Sequence, residues 1–121
     1  PEDIGSECGL QSKLKRSKAS IMQMKLEGKK IVGWGAACNG ASFLNLLEIN
    51  TSLIEYVVDS DVRKQNKYIP GTAQLIVPPN YLLEYRPDVI LVFSQFHKSD
   101  IIKTAKSIVG CQVAFVTPED L

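Results

Sequence analysis

The chain has 121 residues, 45% of them hydrophobic and 22% charged, enough for one ordinary buried core and too short for several independent ones. A formal net charge of +1 excludes the strong overall bias of a nucleic-acid or anionic-membrane binder. Three cysteines without CxxC spacing (Cys8, Cys38 and Cys111) suggest neither a disulfide framework nor a structural zinc site, and fit a reducing, cytoplasmic setting best.

No apolar run reaches the length of a membrane span, and no secretory leader pattern opens the chain. The first residue is Pro rather than Met, which reads as a domain excised from a larger protein. Residues 1–9 form a polar lead-in, and Leu10, Leu14, Ile21 and Met24 then mark one face of a helix closed by Gly28. Between Gln11 and Lys30 stand seven Lys or Arg and one acid, about +6. A solvated helix face accounts for them better than nucleic-acid contact, since no aromatic or Arg-rich recognition pattern accompanies them. Residues 1–28 are thus a lead-in and basic amphipathic helix, and residues 29–121 a second unit.

That unit alternates short apolar runs with helical stretches. Strands are expected at Ile31–Trp34, Leu53–Val58, Leu75–Val77, Val89–Phe93 and Val113–Val116. Helices are expected at Ala41–Glu48, from Pro79 through Tyr81–Tyr85, and at Asp100–Val109 before Gly110. Val- and Ile-rich continuous runs interleaved with helices predict an α/β fold, a Rossmann-like three-layer sandwich around a mostly parallel sheet of about five strands. A ligand then belongs at the carboxyl ends of the strands.

The first of those ends carries Gly33-x-Gly35-x-x-x-x-Gly40, neither a GxGxxG fingerprint nor a Walker motif. Phosphate held on the N–H groups of the following helix and a merely tight strand-to-helix turn fit this spacing equally. Asp59, at the end of the second strand, suits either a ribose contact or an ordinary Asp-Ser-Asp turn. Lys64, Gln65 and Tyr68 offer a cationic, aromatic loop edge, and Ile69-Pro70-Gly71 a turn that shapes it. Trp34 is either core or pocket lining. His97, the only histidine, follows the fourth strand, where it could meet a phosphate or stand as an ordinary loop residue. Cys38 reads as a small buried thiol rather than a reactive one, and Cys111 as core. No nucleophile with a base partner and no metal-ligand cluster is evident.

Three stretches resemble the C-terminal domain of SAM-dependent sugar C-methyltransferases, enzymes that methylate deoxysugars carried on nucleoside diphosphates. They are GWGAACNGASFLN at 33–45, VVDSDVRKQNKYIPGT at 57–72, and IVPP at 76–79 followed by RPDVILV at 86–92. Residues 29 to 116 carry the likeness. The resemblance implies a Rossmann-like domain that helps enclose a nucleotide or nucleotide sugar, with Gly33, Gly35, Ala36, Gly40, Asn45, Asp59, Lys64, Gln65, Tyr68, Gly71 and Thr72 at matching positions and Trp34 in place of a family aromatic as its ligand contacts; Asn39, Ser94 and His97 join them by their places at the strand ends rather than by the match. It also implies a separate SAM-binding methyltransferase domain, in the same or a partner chain, that carries SAM and the catalytic base, so that this domain alone lacks catalytic residues. Asn39 stands where the family has a lysine, and Ser94–Asp100 departs from the family's Trp-Asn. The alternatives are an interaction module that has lost its ligand and a small NAD- or CoA-binding regulator.

Overall fold

The computed structural model describes residues 15–35, 38–93, 97–110, 112–118 and 121, with backbone only at residues 38 and 39. The lead-in, Leu10, Leu14 and Cys111 lie outside them. Helix α1, described over residues 15–26, leads into β1 (Ile31–Trp34), α2 (Cys38–Leu46), β2 (Tyr56–Val58) and β3 (Leu75–Val77). A single 3-10 turn at Pro79–Tyr81 opens α3 (Leu82–Tyr85), and β4 (Val89–Val92), α4 (Lys98–Val109) and β5 (Ala114–Val116) follow.

The five strands form one sheet in the order β3-β2-β1-β4-β5, every named pair parallel. This is the expected α/β Rossmann-like arrangement. Gly33 lies opposite Val57 on one side and Leu91 on the other. The central strands β1 and β4 are buried at all four positions, because helices cover both their faces and leave no solvent side for a polar residue. Alternation divides the core into two layers. Ile31, Val57, Leu91 and Phe93 pack with Ile21 of α1 and Leu44 of α2, whereas Val32, Trp34, Val58 and Val92 pack with Leu82 of α3 and Ile101 and Ala105 of α4.

Several boundaries move, for local reasons. The second strand begins at Tyr56 rather than Leu53, because the carbonyl of Asn50 accepts from the N–H groups of Leu53 and Ile54, and its side chain accepts from Ser52 N–H, curling the chain into a turn. Helix α2 starts at Cys38, three residues before the expected Ala41. Helix α4 likewise starts at Lys98, ahead of Asp100. The last strand is Ala114–Val116, one residue shorter than expected, and Phe93 leaves β4 after one more bond, from its N–H to Trp34 O. Among the described residues no helix is long and apolar enough to cross a membrane.

Helices α1 and α2 end in the same way. Lys29 N–H reaches back to Met24 O and Gly28 N–H to Lys25 O; Ile49 N–H reaches Leu44 O and Glu48 N–H Asn45 O. Both are the paired bonds of a Schellman cap, whose pivotal residue is left-handed. In α1 that residue is Gly28 at φ 84°, but in α2 it is Glu48 at φ 53°, where a Cβ is penalised. Replacing Glu48 with Gly is expected to raise the unfolding free energy by ~0.5–1 kcal/mol, read by urea denaturation, with Glu48→Ala giving no such gain.

A tyrosine cluster sits on the α3 side. Tyr56 of β2 packs its ring 4.9 Å from Tyr81 and 5.0 Å from Tyr85, and the Tyr56 and Tyr81 hydroxyls share a hydrogen bond at 3.2 Å. That hydrogen bond, helped by burial and by Glu55, pushes the Tyr56 phenol up to about 12. A phenol whose pKa rises on folding favours the folded state fully below the unfolded value of about 10, and this contribution is lost as pH climbs to about 12. Alkaline titration followed by phenolate absorbance is expected to show a late-ionising tyrosine that Tyr81→Phe shifts toward the ordinary range.

Candidate ligand cleft

β1 and β4 are neighbours, yet the chain leaves β1 toward β2 and leaves β4 toward β5. This divergence is the switch point of an open parallel sheet, the place where the connecting segments part and leave a crevice. On the α3 and α4 side of the sheet a cleft of about 290 Å³ opens there, lined by Trp34, Ser60, His97, Asp100, Ile101 and Thr104. Trp34, at the end of β1, is 5% exposed and serves both the core and the cleft floor. Ser60 follows β2. The other four come from α4 and the residue before it, at the positions i, i+3, i+4 and i+7 that bring side chains onto one helix face. Ile101 belongs to the core beneath. His97, Asp100 and Thr104 are exposed, and His97 O accepts from Ile101 N–H in the first helical bond.

The glycine turn lies on the other layer, and an aromatic ring fills it. A Cβ on Gly33 would stand 2.5 Å from Phe93 Cε2, and one on Gly40 would stand 2.8 Å from Phe93 Cδ2 and inside contact distance of the Gly35 carbonyl oxygen. Phe43 of α2 completes the packing, its ring centroid 5.5 Å from that of Phe93. The irregular spacing of Gly33 and Gly40 therefore seats Phe93 between β1 and α2. Gly35 N–H is engaged as well, donating to Val58 O at 2.8 Å.

The loop after β2 runs first across the strand ends and then down the sheet edge. Asp59 Oδ1 accepts from Asp61 N–H at 2.8 Å, and Gln65 Nε2 donates to Asp59 O, so both residues hold the turn. Arg63 beside Asp61 keeps that carboxyl below the usual carboxylate range. Asn66 N–H then donates to Ile76 O, Ile76 N–H to Lys67 O, and Tyr68 makes an antiparallel bridge to Leu75. Ile69 turns into the core at 1% exposure. Asn45 Nδ2 donates to Pro70 O at 3.0 Å and to Ala41 O at 2.9 Å, with Gly71 pressed against it, and Gln74 Nε2 donates to Ile49 O.

A family model described as the C-methyltransferase C-terminal domain matches residues 10–118. The chain belongs to the C-methyltransferase C-terminal domain family. It is 27% identical over 92 residues to the C-methyltransferase NovU of Streptomyces niveus, covering 76% of this chain and 22% of that protein. The chain thus spans less than a quarter of the curated relative's length.

In this C-methyltransferase domain the expected contacts fall in three places. Trp34 and His97 meet in the cleft. Gly33, Gly35 and Gly40 surround Phe93. Asn45, Gln65, Tyr68, Gly71 and Thr72 belong to the edge loop and its anchors; none of them lines the cleft, nor do Lys64 and Asp59. Tyr68, 66% exposed, pairs with the amino end of β3, two strands away from Trp34. Ala36, Ser94 and the side chain of Asn39 lie outside the described residues. Among the described residues no His, Cys, Asp and Glu group could hold a metal ion. The residues not expected are Ser60, Asp100, Ile101 and Thr104 in the cleft and Phe93 in the turn. The spacing 97, 100, 101, 104 was the available signal for the α4 members; for Phe93 none existed.

The two glycines separate by what stands over them. Gly40→Ala meets a backbone oxygen and is expected to cost about 3 kcal/mol in denaturant unfolding, Gly33→Ala less because a ring can shift. Adding Phe93→Leu is expected to lessen the cost of Gly33→Ala and to leave that of Gly40→Ala largely intact.

Proposed function

We propose that this C-methyltransferase C-terminal domain binds part of a nucleotide or nucleotide sugar at the carboxyl ends of β1 and β4 and acts on it only together with a SAM-binding domain of a longer or partner chain. The observation that carries this reading is the open, polar cleft at the switch point, where parallel α/β sheets take their ligands. The roles are those of binding: Trp34 and Ile101 form an apolar floor, and Ser60, His97, Asp100 and Thr104 supply donors and acceptors around it.

SAM, which supplies the methyl group when bound, belongs on the other domain in this reading. The residues here do not fit it, because Phe93 fills the glycine turn that would approach a cofactor and the cleft is small for an adenosine with an amino-acid tail. A cytoplasmic setting accords with the three dispersed cysteines.

A second reading, a docking module without a ligand, draws on the filled glycine turn and on exposed Leu26 and Leu46, 81% and 68% exposed. Titration of the isotope-labelled 121-residue chain with dTDP, UDP, dTDP-glucose, NAD and SAM separates the two. Nucleotide-sugar binding is expected to move the Trp34 indole signal and the amides at the start of α4. If a folded chain answers none of these compounds, the ligand reading fails and the docking module stands. A response to NAD alone would indicate a regulator instead.

A further inference from the structure

The cleft has a chemical signature beyond its position: among the described residues it holds a carboxylate and neither Lys nor Arg. Lys98 and Lys103 of α4 are not among its six lining residues. Asp100 stands in the first turn of α4, where its negative charge already answers the positive end of the helix dipole that would otherwise attract a phosphate. Among the described residues no side chain bonds the Asp100 carboxylate, so its acceptor oxygens are available to a ligand.

Resting on the nucleotide-sugar reading above, we infer that this cleft takes the uncharged hydroxyl-bearing ring of the ligand, with Asp100 accepting from adjacent hydroxyls, and that the diphosphate lies outside it. A carboxylate accepts two hydroxyl donors at once, which suits vicinal hydroxyls and repels a phosphate oxygen. Thr104 and Ser60 hydroxyls and the His97 imidazole both donate and accept, matching a ring whose hydroxyls do the same. Trp34 and Ile101 offer the apolar surface that a ring's C–H face covers. A volume of about 290 Å³ is at the low end of small-molecule pockets and accommodates a ring rather than a whole nucleotide sugar.

The test is the sign of a single substitution. Asp100 is exposed and unpartnered among the described residues, so Asp100→Asn keeps the fold, which an unchanged amide spectrum away from α4 verifies. Binding of UDP, dTDP and dTDP-glucose is measured for both chains by calorimetry or shift titration. The inference expects Asp100→Asn to weaken the ligand that carries vicinal hydroxyls by about tenfold, the scale of a hydrogen bond to a charged group, with Thr104→Val weakening the same ligand. Loss confined to UDP identifies the ring as ribose, since dTDP lacks the vicinal pair. Loss confined to dTDP-glucose identifies it as the hexose. Tighter binding of all three by Asp100→Asn would place the phosphates in the cleft and overturn the inference while leaving the nucleotide-sugar reading intact, and unchanged binding would do the same. Absence of binding by the unsubstituted chain overturns both.

Discussion

The seating of Phe93 is the contact on which the rest of this domain depends. Its ring leaves the end of β4, crosses β1 above Gly33 and meets α2 at Gly40 and Phe43, joining three consecutive features of the switch point in one contact. Close packing there fixes how near α2 approaches the sheet, since a side chain at Gly40 would have to displace the Gly35 carbonyl. Filling that layer leaves the opposite one, between Trp34 and α4, as the open side of the crevice. One aromatic residue thus determines which face of the sheet is available to a ligand.

The loop over 59–72 shows how a conspicuous motif can serve architecture. Its polar residues are largely engaged with the backbone of the loop itself or its neighbours: Asp59 with Asp61, Gln65 with Asp59, and Asn45 from α2 with Pro70. Its Lys67–Ile69 stretch satisfies the outer hydrogen-bonding groups of β3, and Ile69 adds to the core. Backbone groups at a sheet edge need partners or water, and here the chain supplies its own.

Fold class was legible because the strands most buried are also the most uniformly apolar: Ile31–Trp34 and Val89–Val92 could be read almost to the residue. The Leu53–Ile54 error has the opposite cause. Two apolar residues resembled strand, but Asn50, three positions before Leu53, captured their backbone into a turn, a local competition that apolar counting does not register. At the crevice, Trp34 and His97 were legible because they adjoin strand ends. Asp100, Ser60 and Thr104 were not, since each is an unremarkable surface residue until the topology sets α4 beside the end of β1. The glycines were visible from the start, but the ring that explains them lies more than fifty residues away in the chain.

The two margins of the sheet are unequal. At β3 the antiparallel stretch from Asn66 to Ile69 closes the ladder, whereas β5, only three residues long and with Ala114 exposed, is the last strand on its side. Lateral growth of this sheet, whether by a strand from another chain or by misassembly at high concentration, is therefore directional: it starts more readily at β5, whose outer side no described strand pairs, while at β3 it must first peel away a loop whose isoleucine is buried in the core.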